Sequence, residues 1–242
     1  MFPSYNEEEN LVKLLPDLCA FLEGEIKEYT IILIDDGSID STAKIKEMLD
    51  KTLPIRIVSH DKNKGIGQVF RTGFSEINRL SNENDSMMIL EADGTSDYKL
   101  MPEMHNKLNA GSDIVIASRY VKGGAYKNFP RKRHLISLIG NMILGLAFPH
   151  GKIKDYTIFY RGYRMDLIKK ALSTFGNKFI TSGTFLANTE VLLNLTKLTN
   201  KITEVPFIYS YDLKIGKSKM PLLKTLLDYL KFLFFNCFRK LP

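Results

Sequence analysis

Short runs of apolar residues alternate along the chain with longer segments in which apolar residues recur every three or four positions. Runs of this length, bounded by turn formers, predict buried strands at Tyr29–Ile34, Ile55–Val58, Met87–Leu90 and Asp113–Ser118. Helical spacing is found in Leu11–Leu22, in Ile66–Leu80 and in residues 187–198. Strands that alternate with helices predict an α/β fold, with a mostly parallel sheet flanked by helices on both faces.

Turn and cap residues set the ends of these elements. Asn6 can cap the first helix with Glu9 reaching back to it, and Ser38 or Asp40 can cap a helix that runs through Leu49. Near the C-terminus an extended segment, residues 202–208, is followed by a loop through Lys219 and a helix from Leu222 to about Phe238. With no internal repeat or linker, we predict one domain over residues 1–219 and a separate helix in residues 220–242.

Charged residues follow several of the predicted strands. Glu91 and Asp93 come directly after Met87–Leu90, Asp35 and Asp36 follow Ile34, and Arg119 follows Ser118. Ligands of open α/β sheets bind outside the carboxyl ends of the strands. Two carboxylates one residue apart can share Mg²⁺, which proteins hold with one or two carboxylates plus substrate phosphates. The alternative is that these acids lie in ordinary solvated turns.

The distribution of charge indicates a polyanionic partner. The formal net charge is +7, and two segments hold most of the excess. Residues 119–133 carry six basic side chains and no acid, and residues 214–242 carry seven basic side chains and one acid. Such patches suit nucleic acid, anionic lipid or a phosphorylated substrate, and they are also compatible with solvated loops. The two cysteines lie near opposite ends, which excludes a disulfide framework and fits a reducing compartment.

Five short motifs, in this order and spacing, resemble those of family 2 glycosyltransferases. They are Pro3–Glu7, Ile34–Ser38, Glu91–Asp93, Ala117–Tyr120 and Gly216–Lys219, so the resemblance covers nearly the whole chain. The chain is similar in particular to the dolichol-phosphate mannose synthase branch of that family, also called the polyprenyl-phosphate glycosyltransferases. The resemblance implies the GT-A fold, Mg²⁺ or Mn²⁺ as cofactor, and transfer of sugar from a GDP- or UDP-sugar to a lipid phosphate.

Carried over position by position, the resemblance implies a nucleotide-sugar site made of Pro3, Tyr5, Glu7, Ile34, Asp36, Glu91, Ala92, Asp93, Arg119 and Lys219. Glu91 and Asp93 would bind the metal, and Asp93, Arg119 and Asp155 would act in catalysis. Alternatives remain for three of them: Asp36 as a turn residue only, Arg119 paired with an acid on the rim, and Asp155 as a loop cap. We interpret Asp35 as structural.

Three departures from the family pattern bear on these expectations. The chain begins inside the Pro-x-Tyr-Asn-Glu loop, whereas family members usually have an apolar strand before it. We therefore expect the first strand to be missing, so that the centre of the sheet lacks one neighbouring strand. Glu91 replaces the more usual aspartate, which keeps the charge and adds a methylene. Leu213 stands where an arginine is frequent, with Lys214 beside it. Lysine offers a point charge rather than a bidentate fork.

Two apolar segments suggest contact with a membrane. In the family a helix corresponding to Leu135–Phe148 lies at the membrane face near the acceptor; an ordinary buried helix is the alternative. The Leu222–Phe238 helix has flanking lysines and exposed aromatics, which predicts an interfacial helix, or else one docked on the core. We therefore expect a peripheral protein on the cytoplasmic face of an anionic membrane, with no nucleic-acid partner.

The expected reaction is attack of a polyprenyl phosphate oxygen on the anomeric carbon of the donor. A phosphate monoester has its second pKa near ~6, so the nucleophile is already an anion and no strong base is required. A hydroxyl acceptor would need a base, and Asp155 would be the first candidate. The alternatives are a transferase acting on a saccharide or protein hydroxyl and an inactive nucleotide-sugar-binding scaffold.

Overall fold

Strands and helices alternate through the computed structural model, which describes residues 1–26, 28–49, 53–214 and 222–238. The strands are β1 (Phe2–Ser4), β2 (Ile31–Asp35), β3 (Ile55–Ser59), β4 (Ser86–Ile89), β5 (Ile114–Ser118), β6 (Ala125–Lys127), β7 (Arg161–Arg164), β8 (Ile202–Pro206) and β9 (Ile208–Ser210). The helices are α1 (Glu8–Glu25), α2 (Ile45–Met48), α3 (Ile66–Leu80), α4 (Met101–Asn109), α5 (Arg131–Ala147), α6 (Met165–Phe175), α7 (Leu186–Leu195) and α8 (Leu222–Phe238). The α/β class is confirmed.

The strands form two main sheets and a small ribbon. The first sheet has the order β1-β2-β3 and is parallel throughout. The second has the order β4-β7-β5-β8, in which β7 runs antiparallel to both neighbours and β5 pairs in parallel with β8. Strands β6 and β9 pair separately. The prediction of a mostly parallel sheet therefore holds except at β7, which the hydrophobic pattern did not reveal.

A short strand, β1, is present at the N-terminus, where we expected the first strand to be missing. Phe2 pairs with Leu33 and Ser4 with Asp35 in parallel register. Met1 also bridges the two sheets: its amino group donates to the Met88 carbonyl at 2.6 Å, and the Leu90 amide donates to the Met1 carbonyl at 3.1 Å. The centre of the fold is thus continuous, although its middle strand is only three residues long.

The first helix forms for the predicted reason but does not have the predicted cap. Leu11, Leu15, Leu18 and Leu22 are all buried, as their helical spacing requires. Asn6 does not cap the helix, which begins at Glu8. Its backbone is left-handed, with φ 52°, and its side-chain oxygen accepts a hydrogen bond from the Ile39 amide. Asn6 therefore ties the loop after β1 to the loop after β2.

Helix α3 approaches a neighbouring loop very closely at a glycine. Val69, Phe70, Phe74 and Ile77 form its buried face. At Gly67 a Cβ atom would lie 1.9 Å from the Ser182 carbonyl oxygen, which is closer than atoms can pack. Only glycine permits this contact between the first turn of α3 and the loop of residues 181–185.

Helices α5 and α8 expose much of their apolar surface. In α5 only Asn141 and Leu144 are buried, and the exposed apolar residues are Leu135, Ile136, Leu138, Ile139, Met142, Ile143 and Leu146. An ordinary buried helix is therefore not what the structure shows. Helix α8 has the predicted bounds. It docks on one side, where Tyr229 contacts Thr189 at 2.6 Å, and it exposes Leu227, Leu230 and Phe234.

Among the described residues, no helix combines the length and hydropathy needed to cross a bilayer.

Candidate active site

A cavity of about 800 Å³ opens at the carboxyl ends of β1, β2, β4 and β5. Its polar part lies at the sheet edge and includes Tyr5, Glu7, Asp36, Asp93 and Arg119. Its apolar part lies between α5 and α8, where its walls are Ile136, Ile139, Ile143, Leu144, Leu230 and Leu233. One continuous cavity therefore joins charged groups that suit a phosphorylated ligand to a wall that suits a hydrocarbon.

Most of the residues predicted for the nucleotide-sugar site share this cavity. Those that line it are Pro3, Tyr5, Glu7, Asp36, Glu91, Ala92, Asp93 and Arg119. Ile34 does not: its side chain is fully buried in β2, and the prediction that it contacts the ligand is not supported. Lys219 lies outside the described residues, so its role stays a prediction.

Asp36 combines a place at the cavity with a structural role. Its Oδ1 accepts the Lys64 amide at 2.9 Å and lies 2.7 Å from His60 Nδ1, and its Oδ2 accepts the Gly65 amide at 2.8 Å. Asp36 therefore fixes the loop that leads into α3, and this loop also borders the cavity. His60 was missed at the sequence level because nothing in its surroundings marked it. Asp35 is structural, as predicted, since its Oδ1 accepts hydrogen bonds from Ser38.

Glu91 and Asp93 lie together in the turn after β4. Asp93 Oδ1 accepts hydrogen bonds from the Thr95 amide at 3.2 Å and the Thr95 hydroxyl at 2.5 Å, and Glu91 Oε2 accepts one from the Ser96 hydroxyl at 3.3 Å. Burial, with the nearby Asp93 charge, raises the pKa of Glu91 to about 8, against the opposing effect of Arg119 and Lys214. Two carboxylates in a poorly solvated turn repel each other when both are ionised. A divalent cation bound between them would relieve this repulsion.

The protein supplies only part of a metal coordination sphere. In the part of the chain that the structure describes, no three histidine, cysteine, aspartate or glutamate side chains converge on a common point. Mg²⁺ and Mn²⁺ accept oxygen ligands from water and substrate phosphates, so two carboxylates are a sufficient protein contribution. The donor set therefore fits the predicted cofactor, with Glu91 and Asp93 as the residues that would hold it.

Arg119 is fixed by Asp155 rather than freely extended into the cavity. Its Nε and Nη2 donate to the two oxygens of Asp155, both at 2.7 Å, and Nη2 also donates to Thr157 at 2.9 Å. The guanidinium lies 5.0 Å from the centre of the Tyr126 ring. Burial disfavours the Asp155 charge, but the charge and hydrogen bonds of Arg119 outweigh it and lower the pKa of this carboxyl. Arg119 thus pairs with an acid and also lines the cavity, and its contact with a ligand stays a prediction.

The position of Asp155 differs from the prediction of a catalytic group near the acceptor. Its side chain is fully buried and does not line the cavity. Besides Arg119, it accepts hydrogen bonds from the Thr157 and Ile158 amides at 3.3 and 3.2 Å, which is the loop-cap arrangement. With its oxygens directed into this network, Asp155 positions Arg119 and is not placed to take a proton from a substrate.

The sequence missed the groups on the α5 side of the cavity. Arg133 and Ser137 line it, one turn apart on α5. The hydroxyls of Tyr120, Tyr126 and Ser137 lie within 2.9–3.1 Å of one another, and this hydroxyl triangle joins α5 to the end of β5. The cluster of basic residues before an apolar helix was the available signal for Arg133. No motif marks the tyrosines, because the contact depends on tertiary packing.

Loop 181–185 is a second feature that the sequence did not identify as part of the site. Gly183, Thr184 and Phe185 line the cavity. The loop is held by the buried Glu190, whose Oε2 accepts the Thr181 and Ser182 amides at 2.8 and 2.9 Å. Glu190 thus fixes the loop that forms this part of the cavity wall.

Comparisons with known proteins show the family of this chain. The family model described as "Glycosyl transferase family 2" matches residues 1–172. The dolichol-phosphate mannosyltransferase of Pyrococcus furiosus is 30% identical over 97% of this chain, and the chain spans only 62% of that relative's length. The polyprenol monophosphomannose synthase of Mycolicibacterium smegmatis is 29% identical over 91% of this chain and 79% of its own.

Solved structures show the same fold. Glucosyl-3-phosphoglycerate synthase from Mycobacterium tuberculosis, in complex with Mn²⁺ and UDP-glucose, has a TM-score of 0.67 and 14% identity, covering 98% of this chain and 77% of that chain. The same protein in complex with Mg²⁺ and UDP gives a TM-score of 0.68. At such low identity the likeness concerns the fold alone. With the family match over residues 1–172, the chain belongs to glycosyl transferase family 2 and adopts its GT-A-like α/β fold.

Proposed function

We propose that this protein transfers a sugar from a nucleotide sugar to a polyprenyl phosphate at a membrane surface. The observation that carries the proposal is the continuity of one cavity, from the carboxylates after β4 to the apolar walls of α5 and α8. A polyprenyl phosphate has the same two parts, an anionic head and a hydrocarbon tail. Relatives named as dolichol-phosphate and polyprenol-phosphate mannosyltransferases support the choice of acceptor.

The donor would lie along the sheet edge formed by β1, β2 and β4. Pro3, Tyr5, Glu7 and Asp36 line the part of the cavity suited to the nucleoside, and Glu91 and Asp93 would hold Mg²⁺ or Mn²⁺ against the diphosphate. When bound, the cation would stabilise the negative charge of the departing diphosphate as a Lewis acid. Lys219 remains a predicted diphosphate contact.

The acceptor phosphate would be held by the two arginines on the other side of the cavity. Arg119 and Arg133 both line it. Arg119 already donates Nε and Nη2 to Asp155, which leaves Nη1 for a phosphate oxygen, whereas the guanidinium of Arg133 could bind phosphate oxygens with paired hydrogen bonds. The attacking phosphate oxygen forms a bond to the anomeric carbon, while the bond from that carbon to the donor diphosphate breaks. No general base is needed, since a phosphate monoester is an anion near pH 7. The buried position of Asp155 is consistent with such a mechanism.

The exposed faces of α5 and α8 would rest on the membrane. Arg131, Lys132 and Arg133 form the first turn of α5, next to its exposed apolar residues. Burial of apolar surface contributes ~25 cal/mol per Å², and each basic residue near an anionic leaflet adds about 1 kcal/mol. These features support peripheral binding to anionic lipid, at the cytoplasmic face, rather than binding to nucleic acid.

A donor and acceptor screen with the purified protein tests the proposal. GDP- and UDP-sugars are supplied with Mg²⁺ or Mn²⁺ and a short polyprenyl phosphate, and the product is detected as a glycosylated lipid phosphate. Transfer to saccharide or protein hydroxyls with no transfer to the lipid phosphate would favour the second transferase class. Donor binding with no turnover on any acceptor would identify an inactive scaffold.

A further inference from the structure

An ion pair joins the predicted metal site to a distant part of the chain. Lys214 Nζ contacts Asp93 Oδ2, and the two side chains are only 13% and 11% exposed. Lys214 directly follows a short 3₁₀ turn, Tyr211–Leu213. This turn lies beside the turn that carries Asp93, since a Cβ atom at Gly94 would be 3.5 Å from the Leu213 carbonyl oxygen.

The ion pair involves only one of the two carboxyl groups of this site. Glu91 and Asp93 both line the cavity edge, and the positive charge of Lys214 contacts Asp93 alone. Arg119 lies nearby, but Asp155 already neutralises its charge through two hydrogen bonds. A divalent cation would displace the proton of a protonated Glu91 and balance the charge of both carboxylates. A cation and the Lys214 ammonium cannot both occupy the free side of Asp93 Oδ2, because like charges at contact distance repel strongly.

We propose that Lys214 is an exchangeable counter-ion, which holds Asp93 before the metal binds and moves to the donor diphosphate when the metal takes its place. The inference rests on the proposed function, in which the donor is a nucleoside diphosphate sugar. Lys214 lines the same cavity as Asp93, so an ammonium released from the carboxylate stays next to the diphosphate. Lys214 is therefore a binding residue for the donor and a competitor of the metal.

The chemistry of lysine suits such an exchange. Its ammonium is a compact point charge on a flexible four-carbon stem, so it can change partners by rotating the side chain. A guanidinium would form a bidentate pair with the carboxylate, which is harder to displace. The effect of the exchange is to couple the two ligands. Metal alone has to displace Lys214, whereas metal and diphosphate together give the ammonium a new anionic partner.

Binding measurements without any acceptor test this inference. Mn²⁺ binding is followed by the electron paramagnetic resonance signal of the free ion, and UDP and GDP binding by calorimetry at saturating Mn²⁺. In Lys214→Gln the competing charge is lost, so Mn²⁺ alone should bind about 10-fold more tightly, a change typical of one lost charge contact. The same variant should bind both Mn²⁺–nucleotide complexes about 10-fold more weakly, because it lacks the diphosphate contact.

Three further variants make the result specific. Lys107→Gln removes a charge from an exposed position on α4 and should change neither affinity. Lys214→Arg keeps the charge and should bind Mn²⁺ alone no more tightly than the wild-type protein. Asp93→Asn should lose Mn²⁺ binding, which tests the metal site independently of Lys214.

A purely structural role of Lys214 would not produce opposite changes in the affinity for Mn²⁺ alone and in the affinity for nucleotide at saturating Mn²⁺. Unchanged or weaker binding of Mn²⁺ alone by folded Lys214→Gln overturns the exchange, as does unchanged nucleotide affinity. Tighter Mn²⁺ binding by Lys214→Arg also contradicts it. Failure of sugar transfer to polyprenyl phosphate would refute the proposed acceptor while leaving these binding results unaffected.

Discussion

At the scale of single residues, the pair formed by Arg119 and Asp155 links stability to function. Both side chains are buried, and they share two hydrogen bonds of 2.7 Å. Removing one partner of a buried ion pair leaves an uncompensated charge, whereas replacing both with apolar residues is often neutral. A single and a double substitution therefore separate the structural role of the pair from the proposed contact of Arg119 with phosphate.

We expect Asp155→Asn to lower the free energy of unfolding by about 3–5 kcal/mol, because Arg119 is left buried without a counter-charge. The double variant Arg119→Met/Asp155→Asn should recover much of that loss, because the asparagine oxygen can still accept the backbone amides, but it should not restore sugar transfer. Urea unfolding and a transfer assay measure the two effects. Wild-type transfer by the double variant would show that Arg119 serves only the fold.

The same pair predicts a dependence of stability on pH. The pKa of Asp155 is lowered in the folded protein, so its contribution is complete above the pKa of an unfolded aspartate, about 3.9, and is lost as the pH falls through the lower folded value. Urea unfolding from about pH 6 to about pH 3 should show a loss that is smaller in Asp155→Asn. Equal pH profiles for the two proteins would mean that Asp155 titrates normally.

At the scale of elements, the sequence predicts those whose burial follows a regular period. Helices α1 and α3 and strands β2 and β5 bury the apolar residues that their spacing marks. Strand β7 has no such pattern, because Arg161–Arg164 is polar and contains a glycine. It is buried nevertheless, since Arg161 donates to the carbonyls of Asn188 and Tyr156, both at 2.7 Å. These partners are distant in sequence or on a loop, so no local pattern could reveal them.

Gly67→Ala tests the contact between α3 and loop 181–185. The new methyl group would overlap the Ser182 carbonyl, so the loop must move. We expect a loss of about 1–3 kcal/mol in unfolding free energy and weaker donor binding, because the same loop lines the cavity.

Gly24→Ala is the matched control for this substitution. Gly24 lies on α1 with no neighbouring atom within 4 Å of its Cβ position. Since alanine favours helix over glycine by up to about 1 kcal/mol, this variant should be slightly stabilised. Equal effects of the two substitutions would show that the α3 contact does not restrict the loop.

At the scale of the whole molecule, the residues of the polar part of the cavity could be predicted from sequence, whereas the individual side chains of the apolar part could not. The polar part consists of short motifs at strand ends, where one segment supplies several lining residues. The apolar part is made by α5, α8 and loop 181–185, whose side chains meet only after packing. The sequence predicts α8 as a separate segment after residue 219. In the folded protein its Tyr229, Leu230 and Leu233 line the cavity, a contact that also depends on packing.

The exposed face of α5 should bind anionic vesicles. A variant with glutamine at Leu135, Leu138, Met142 and Leu146 should lose most co-sedimentation without loss of fold stability, because these side chains are exposed. Increasing salt should weaken wild-type binding only in part, since salt screens the basic residues but leaves apolar burial in place.

Leu80→Gln provides the control, since Leu80 is an exposed apolar residue at the end of α3 away from the cavity. Its vesicle binding should equal that of the wild-type protein. If the α5 variant still sediments, α8 carries the attachment instead.

The antiparallel strand β7 determines how far apart the two charged ends of the site are. It lies between β4 and β5, so the residues that follow those strands are separated by two interstrand spacings, about 9–10 Å. Glu91 and Asp93 follow β4, and Arg119 follows β5. In the proposed function the first end binds the donor diphosphate through the metal and the second binds the acceptor phosphate, so the width of one strand separates the two substrates. A strand that does not line the cavity would thus set the spacing at which donor and acceptor meet.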